Sequence, residues 1–338
     1  MPTPTHDLLI YIGRFNPFHN SHLETIKKAA ALAKSVIVFI GSAEKSNTYK
    51  NPFTIEERAD MIERSLNIAM IGNVRIIAIT DNPYDNEAWK NRIESYLVKY
   101  QGKNTKTGII GFKKDESSFY LDLFPNLELV DVGKIGDVNG TDIRKLLFSA
   151  DPDMKAIKKL VPQKTYEFLV EYKKTDRYKD IMDQRKFIVD YSAPYETLPY
   201  PPTFITSDVL LKRGNDVLLI KRKNYPQKGS WALVGGFLNK NESILNCAIR
   251  ELKEETSIDI PDYCLKLMVK SVKVFDHPNR DERGRTVTHA HFIEIPFDLI
   301  PNLKASDDAE ELKWVNINSL DSREIYADHY HIIQALLK

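Results

Sequence analysis

The chain has 338 residues, enough for two hydrophobic cores, and two domains are the natural expectation. Its 48 basic and 47 acidic side chains nearly cancel, so bulk charge points neither to nucleic acid nor to an anionic membrane. Two cysteines, Cys247 and Cys264, are too few for a disulfide framework, no apolar run is long enough to span a bilayer, and the N-terminus lacks a secretory pattern. The expectation is a soluble, cytoplasmic chain.

Residues 7–12, DLLIYI, read as a strand and lead into GRFNPFHNSHLE, after which a helix is expected. Residues 35–40, SVIVFI, give a second strand. Strand, loop, helix and strand in this order open a parallel α/β domain, whose ligands bind at the carboxyl ends of the strands. Gly13 permits a close approach of backbone to ligand. His19 and His22 lie three apart at the expected helix start, where unpaired N–H groups favour an anion. The same spacing also allows a metal-binding pair or a structural pair. Further strands are expected at 107–111 and 127–132, and a helical region broken near Pro162 at 153–169.

GRFNPFHNSHLE, with its two histidines, resembles the nucleotidyltransferase signature, and GRFNPFH more narrowly resembles that of the archaeal-type nicotinamide mononucleotide adenylyltransferases. NPFTIEER, 51–58, and NGTDIRKLL, 139–147, are similar to two further stretches of that family. Ser21 stands where the family has glycine, and Asn139 where it has serine. The resemblance implies that ATP is a substrate held by Gly13, Arg14, Phe15, His19 and His22. Gly140, Thr141 and Arg144 would form a second phosphate site, with Mg²⁺ bridging the phosphates. His19, His22 and Arg144 would stabilise the transferring charge. DNPYDNEAW, 81–89, resembles the segment that receives the mononucleotide. Trp89 would stack on the nicotinamide ring and Asp81 would order the loop, although Trp89 read alone fits a buried structural residue equally. Lys113 and Lys114 face either nucleotide or solvent.

Residues 171–186 are heavily charged and 193–202, APYETLPYPP, are rich in proline and aromatics. The expected division is therefore 1–185, a proline-stiffened linker at 186–202, and 203–338. In the last part, strands are expected at 204–210 and 216–220 around an Arg213-Gly214-Asn215 turn. Strands at 266–275 and 288–295 and a closing helix at 326–337 follow. Between the two pairs lies GFLNKNESILNCAIRELKEETSI, 236–258. It reads as a helix from Glu242 onward, with Leu245, Ile249 and Leu252 on its apolar face. Glu251, Glu254 and Glu255 crowd on one side, Arg250 holds one of them, and Cys247 is a packed thiol. Such a cluster of hard oxygens suits Mg²⁺ or Mn²⁺, and the plainer reading is an acidic, solvated helix face.

This stretch resembles the Nudix box. Gly236, Glu242, Arg250, Glu251, Leu252, Glu254, Glu255 and Ile258 match it in place, and Ser257 replaces its last glycine. The resemblance implies a mixed sheet between helices (an α/β/α sandwich). It makes Glu251, Glu254, Glu255 and Gly235 the metal ligands, with Glu254 and Glu255 in the chemistry. DHPNRDERGR, 276–285, is similar to a loop of ADP-ribose pyrophosphatases, in which Arg280, Arg283 and Arg285 would neutralise a diphosphate; read alone, it fits a charged surface hairpin. Glu310 or Glu311 is a candidate base outside the box.

The whole chain resembles the bacterial bifunctional NMN adenylyltransferase/ADP-ribose pyrophosphatases. One α/β domain with a Rossmann-like parallel sheet would make NAD from NMN and ATP, and a Nudix domain would split ADP-ribose. Oligomeric state is not readable from the sequence; relatives of the first domain often assemble, which leaves a homo-oligomer open. Nicotinic acid mononucleotide, another diphosphate for the Nudix domain, and a non-catalytic ADP-ribose sensor stay open as alternatives.

Overall fold

The computed structural model describes residues 4–100, 105–112 and 116–338; Lys113 and Lys114 lie outside the described residues. Contacts divide the chain into two compact units, Met1–Asp183 and Gln184–Lys338.

The first unit holds β1 (His6–Gly13), α1 (Asn20–Leu32), β2 (Ala33–Ile40), α2 (Ile55–Ile68), β3 (Val74–Ala78), α3 (Asn86–Val98), β4 (Thr107–Gly111) and β5 (Glu128–Asp131). Four helices follow: α4 (Gly140–Leu147), α5 (Met154–Leu160), α6 (Gln163–Tyr172) and α7 (Asp176–Ser192). The five strands are parallel in the order β3-β2-β1-β4-β5. Successive strands run outward from β1 to β3, and then the chain returns to the other side of β1. The point of reversal therefore lies between β1 and β4, where an open α/β sheet leaves a crevice at the strand ends. β1 and β2 are apolar along almost their whole length because the sheet is covered on both faces. One core contains Leu9, Val36, Val38 and Phe53, and the other Leu8, Ile10, Ile37 and Phe39.

The division between the units falls inside α7. Ile181 belongs to the first core, whereas Phe187 and Tyr191 face rings of the second unit. Residues 186–192, which the sequence reading assigns to a proline-rich linker, are thus helical; the prolines begin only after the helix.

The second unit comprises β6 (Thr203–Arg213), β7 (Asp216–Arg222), β8 (Trp231–Ala232), β9 (Val234–Phe237), α8 (Ile244–Thr256), α9 (Asp262–Leu267), β10 (Val269–Phe275), β11 (Arg285–Ile295), β12 (Ala309–Asn316) and α10 (His329–Leu336). Its seven-stranded sheet is mixed. β11 and β6 pair in parallel, and every other pairing is antiparallel. The β6–β7 hairpin turns at Gly214, whose φ of 57° belongs to the left-handed region that glycine tolerates. Residues 266–268, expected in a strand, close α9 instead.

α8 begins later than the apolar periodicity suggests. Ser243 caps it by accepting from the Asn246 amide, so Glu242 lies before the helix and not in it. Ile249 and Leu252 are buried in the core with Leu245 packed against them. Ser257 ends the helix at φ 49° and ψ 30°, the left-handed conformation that the family's glycine would supply. An L-residue there costs about 1–2 kcal/mol, offset in part by the greater unfolded-state freedom of glycine. Ser257→Gly is therefore expected to stabilise the second unit by about 0.5–1 kcal/mol, read as a higher urea midpoint with an unchanged slope.

Candidate active sites

In the first unit, the loop between β1 and α1 carries the chemistry. His19 caps α1 and His22 follows one turn later. Their rings stack at 3.5 Å between centroids, and the His19 amide donates to His22 Nδ1 at 3.3 Å. Phe15, Phe18 and Tyr11 surround the His22 ring. Burial pushes the His19 pKa down to about 3, and burial followed by His19 holds His22 well below the ordinary value. Both imidazoles are therefore neutral at pH 7. His19 Nδ1 is buried without a hydrogen-bond partner, an orphaned polar atom at the mouth of a helix N-terminus.

Arg144, in α4, lies 128 residues from Asn16, yet its Nη1 donates to the Asn16 carbonyl at 2.6 Å and its Nη2 to Thr141 Oγ1 at 3.2 Å. The two signatures distant in sequence therefore meet in space. Gly140 is required for that approach, since a Cβ would come within 3.0 Å of the Asn16 oxygen. Ser21, the replacement for glycine, turns its hydroxyl toward Gly136.

Three of the expected nucleotide contacts have another role. The Phe15 ring is buried in the core and fills the space above Gly13, where a Cβ would meet it at 2.9 Å. Gly13 thus makes room for Phe15. Trp89 packs against the core with its ring 6.2 Å from Phe124, because the first turn of α3 directs it inward. Arg14 is exposed at the end of β1. Asp81 does order a loop: it accepts from the Ser42 amide at 3.0 Å and from Ser42 Oγ at 2.7 Å.

Arg58 is a residue that the sequence reading passed over. It is fully buried and donates to the carbonyls of Thr54, Arg14, Gly41 and Ser42. One guanidinium thus fixes the loops after β1 and β2 to each other. Nothing in NPFTIEER distinguishes it from a solvated helix arginine.

In the second unit, Arg250 is the hub. It meets Glu242 through Nε at 3.0 Å and Nη2 at 2.7 Å, and its Nη1 reaches both Glu251 and Glu254 at 2.7 Å. Arg250 also donates to the Phe237 carbonyl. Glu251 lies directly against β9: a Cβ on Gly236 would sit 2.4 Å from Glu251 Oε1. Glu255, 3% exposed, accepts from the Gly235 amide at 3.0 Å. Burial raises the pKa of Glu251 and of Glu255, and neighbouring carboxylates push both further up, Asp307 acting on Glu251 and Asp308 on Glu255. Glu310 and Glu311, the expected external base candidates, lie exposed on β12, with Glu311 paired to Lys221. The acidic residues that bear on the site are Asp307 and Asp308, because the loop before β12 closes on the end of α8 through the Ser306 amide and the Glu255 carbonyl.

Among the described residues, no group of three or more His, Cys, Asp or Glu converges as a metal cage. Arg250 draws Glu251 and Glu254 toward itself, while Glu255 faces the Gly235 amide. The donor set nevertheless suits a hard divalent cation. Buried carboxylates whose pKa values are raised by burial, and further by neighbouring acids, gain most from an added positive charge.

Arg250 also sets an acid limit. It holds Glu242 down to about 2, below the ordinary 4.5. A depressed carboxylate contributes stability that is full above 4.5 and is lost as pH falls toward about 2. Glu242→Gln is expected to remove this portion of the acid dependence, which a pH titration of the unfolding midpoint would detect.

The three loop arginines do not stand free. Arg280 is buried and bound to Asp328 at 3.0 and 3.2 Å, with Asp208 at 3.6 Å. Arg283 pairs with Asp281 and lies over the rings of Phe237 and Tyr191. Arg285 is bonded to the Asp276 carbonyl. Local carboxylates and a carbonyl engage all three arginines that the sequence assigns to a diphosphate. Asp208, Asp328 and His329, whose Nδ1 accepts from the Leu233 amide at 3.0 Å, form a buried polar layer that no sequence motif announced.

The fold and sites define a nucleotidyltransferase-type domain joined to a Nudix domain. Residues 10–103 match the cytidylyltransferase-like family, and residues 202–336 match the NUDIX domain. The chain is 31% identical over 179 residues to the nicotinamide/nicotinic acid mononucleotide adenylyltransferase of Acinetobacter baylyi, covering 53% of this chain and 93% of that protein. It is 36% identical over 135 residues to the ADP-ribose pyrophosphatase of Methanocaldococcus jannaschii, covering 40% of this chain and 73% of that one. A crystal structure of a bifunctional NMN adenylyltransferase/ADP ribose pyrophosphatase from Francisella tularensis, complexed with AMP and a manganese ion, superposes with a TM-score of 0.90 at 33% identity and covers 98% of both chains. The chain belongs to the bifunctional NMN adenylyltransferase/ADP-ribose pyrophosphatase family, and both of its units are catalytic domains. Among the described residues, no helix is long and apolar enough to cross a membrane.

Proposed function

We propose that the first unit transfers AMP from ATP to nicotinamide mononucleotide, giving NAD and pyrophosphate, and that the second hydrolyses ADP-ribose to AMP and ribose 5-phosphate. The observation that carries the reading is the Arg144–Asn16 contact, which brings two phosphate signatures to one site; the family relationship extends it to both units.

In adenylyl transfer, a phosphate oxygen of the mononucleotide bonds to the α-phosphorus of ATP, and the bond to pyrophosphate breaks. Positioning and charge stabilisation suffice for this step. His19 and His22 offer neutral N–H donors to phosphate oxygens, and Arg144 supplies a fixed positive charge beside them. The buried His19 Nδ1 supports the assignment, since a phosphate or its bound water would satisfy it.

In the second unit, Glu251 and Glu255 would hold a divalent cation with the Gly235 main chain beside them. Mg²⁺ and Mn²⁺ both suit these oxygens. When bound, such a cation polarises the phosphate and acidifies water. Glu254 is the most exposed of the three acids and is read as the group nearest to bulk water. Arg250 keeps the carboxylates separate and oriented before the cation enters.

The test uses the intact chain with Mg²⁺ in two reactions. NMN with ATP should yield NAD, and ADP-ribose should yield AMP. His22→Ala is expected to reduce NAD formation by about 10²–10³-fold, the range for losing one donor to transition-state charge. Retention of NAD synthesis in that variant would remove His22 from the mechanism. Replacing NMN by nicotinic acid mononucleotide in the same assay measures which ring is preferred.

A further inference from the structure

The Asn16–Arg144 contact has a support that lies outside both phosphate signatures. Asn16 is buried, and both ends of its side-chain amide turn to one stretch of the loop between β2 and α2. Its Nδ2 donates to Asn51 Oδ1 at 3.3 Å, and its Oδ1 accepts from the Phe53 amide at 3.3 Å. The Asn16 carbonyl, which accepts from Arg144 Nη1 at 2.6 Å, therefore sits where residues 51–53 place it. Thr141 Oγ1, which Arg144 also meets, belongs to the same helix as Arg144 and fixes nothing relative to the histidine loop.

Residues 51–53 are held in turn from α7. Pro52 has no N–H, so its main chain can be held only through the carbonyl. That carbonyl accepts from Arg177 Nη2 at 3.0 Å and from Tyr172 Oη at 3.3 Å. Arg177 also donates through Nε to Asn47 Oδ1 at 2.8 Å, and through Nη1 and Nη2 to the two Glu57 oxygens at 2.6 and 3.1 Å. Glu57 closes the capping box of α2 by accepting from the Thr54 amide at 2.8 Å. One planar fork thus grips the loop before Pro52, Pro52 itself and the helix after it, 120 to 130 residues away in sequence. Arg177 lies well past residue 103, where the match to the cytidylyltransferase-like family ends.

We propose that Arg177 is a positioning residue for adenylyl transfer. It fixes residues 51–53, through them Asn16, and through Asn16 the guanidinium of Arg144. The inference rests on the adenylyl-transfer reading above for what Arg144 does, while the line of contacts stands without it. All three guanidinium nitrogens of Arg177 are engaged by the loop and by Glu57, so Arg177 acts through Arg144 and meets no phosphate itself. Alignment is what this reaction asks of the protein, and a misplacement of about 1 Å costs about a hundredfold. The plainer role, an ion pair that steadies α2, needs only a positive charge beside Glu57.

The experiment compares the full parent chain with Arg177→Lys, Asn16→Ala and the double variant in NAD formation from NMN and ATP with Mg²⁺. Lysine keeps the charge beside Glu57 and so the ion pair, but a single ammonium has no fork to span Asn47, Pro52 and Glu57. Arg177→Lys should lower kcat about tenfold with the ATP KM kept, the pattern of an interaction lost from the transition state. Asn16→Ala removes the side-chain amide, leaves the carbonyl and should do the same. The double variant should be no slower than the slower single one, because both act along one line of contacts. Parent-like kcat in Arg177→Lys overturns the proposal and leaves Arg177 as a structural ion pair. So does a rise in KM alone, or two effects that multiply in the double variant. A parent chain that makes no NAD defeats the adenylyl-transfer reading separately. Crystal structures of the parent and of Arg177→Lys decide the positioning in either case: loss of the Arg144–Asn16 contact supports it, and an unmoved Arg144 overturns it.

Discussion

Arg280→Leu is expected to cost the second unit about 3–5 kcal/mol, the range for breaking a buried ion pair by removing one partner. Arg280 and its partners Asp328 and Asp208 all have side chains at most 8% exposed. Asp208 also accepts from Thr288 Oγ1 at 2.6 Å on the parallel neighbour strand β11. Removing the guanidinium leaves two carboxylates in a low-dielectric interior, and both must take up protons or draw in water. The charged loop 276–285 would also lose its anchor. Hydrogen exchange of the β6 and β11 amides under increasing urea measures the loss. Adding Asp328→Asn to Arg280→Leu should recover part of it, because an amide has no charge to compensate. A loss below about 1 kcal/mol would mean that the layer is hydrated and that the arginine contributes as an ordinary surface pair does.

Glu255→Gln separates activity from stability in the same unit. Hydrolysis of ADP-ribose should fall about a thousandfold or more, since the cation's contribution to transition-state charge is several kcal/mol and each 1.36 kcal/mol is a factor of ten. Stability should move in the other direction. Burial is the main cause of the raised Glu255 pKa, with Glu251 adding to it. A group raised in the folded state contributes stability that is full below its unfolded value of 4.5 and is lost as pH rises through the folded value. Glutamine keeps an acceptor for the Gly235 amide and has no charge to bury. Without divalent cation at pH 8, the variant should therefore match or exceed the parent in thermal midpoint, while at pH 4 the two should converge. A variant less stable than the parent at pH 8 would show that the carboxylate is compensated without a cation. Such a balance, stability given up to keep a charged group ready for its ligand, is expected at a catalytic site.

Much of this protein was legible before any coordinates. The strands 7–12 and 35–40 are short apolar runs bounded by glycine or polar residues, and both form parallel strands within a residue or two of those limits. The Nudix spacing is a property of one helix and its cap, so local sequence alone carried Arg250, Glu251, Glu254 and Glu255 to neighbouring positions. The left-handed exit at Ser257 was readable for the same reason, since helix termination depends on the backbone of one residue.

Tertiary structure decided the remainder, wherever the partner of a residue is far along the chain. Glu242 reads as the start of the helix that carries Leu245, Ile249 and Leu252, yet the cap at Ser243 excludes it and the ion pair crosses from loop to helix. The resemblance makes Phe15 and Trp89 ligand contacts, and only the fold shows that Phe15 packs over Gly13 and Trp89 beside Phe124. Arg280 reads as a phosphate contact in an arginine-rich loop, and only the fold supplies its carboxylate partners Asp208 and Asp328, 72 residues before and 48 after it. Periodicity and motif spacing report local backbone geometry. The pairing of charges and the burial of rings depend on contacts that a chain makes only after its sheets have formed.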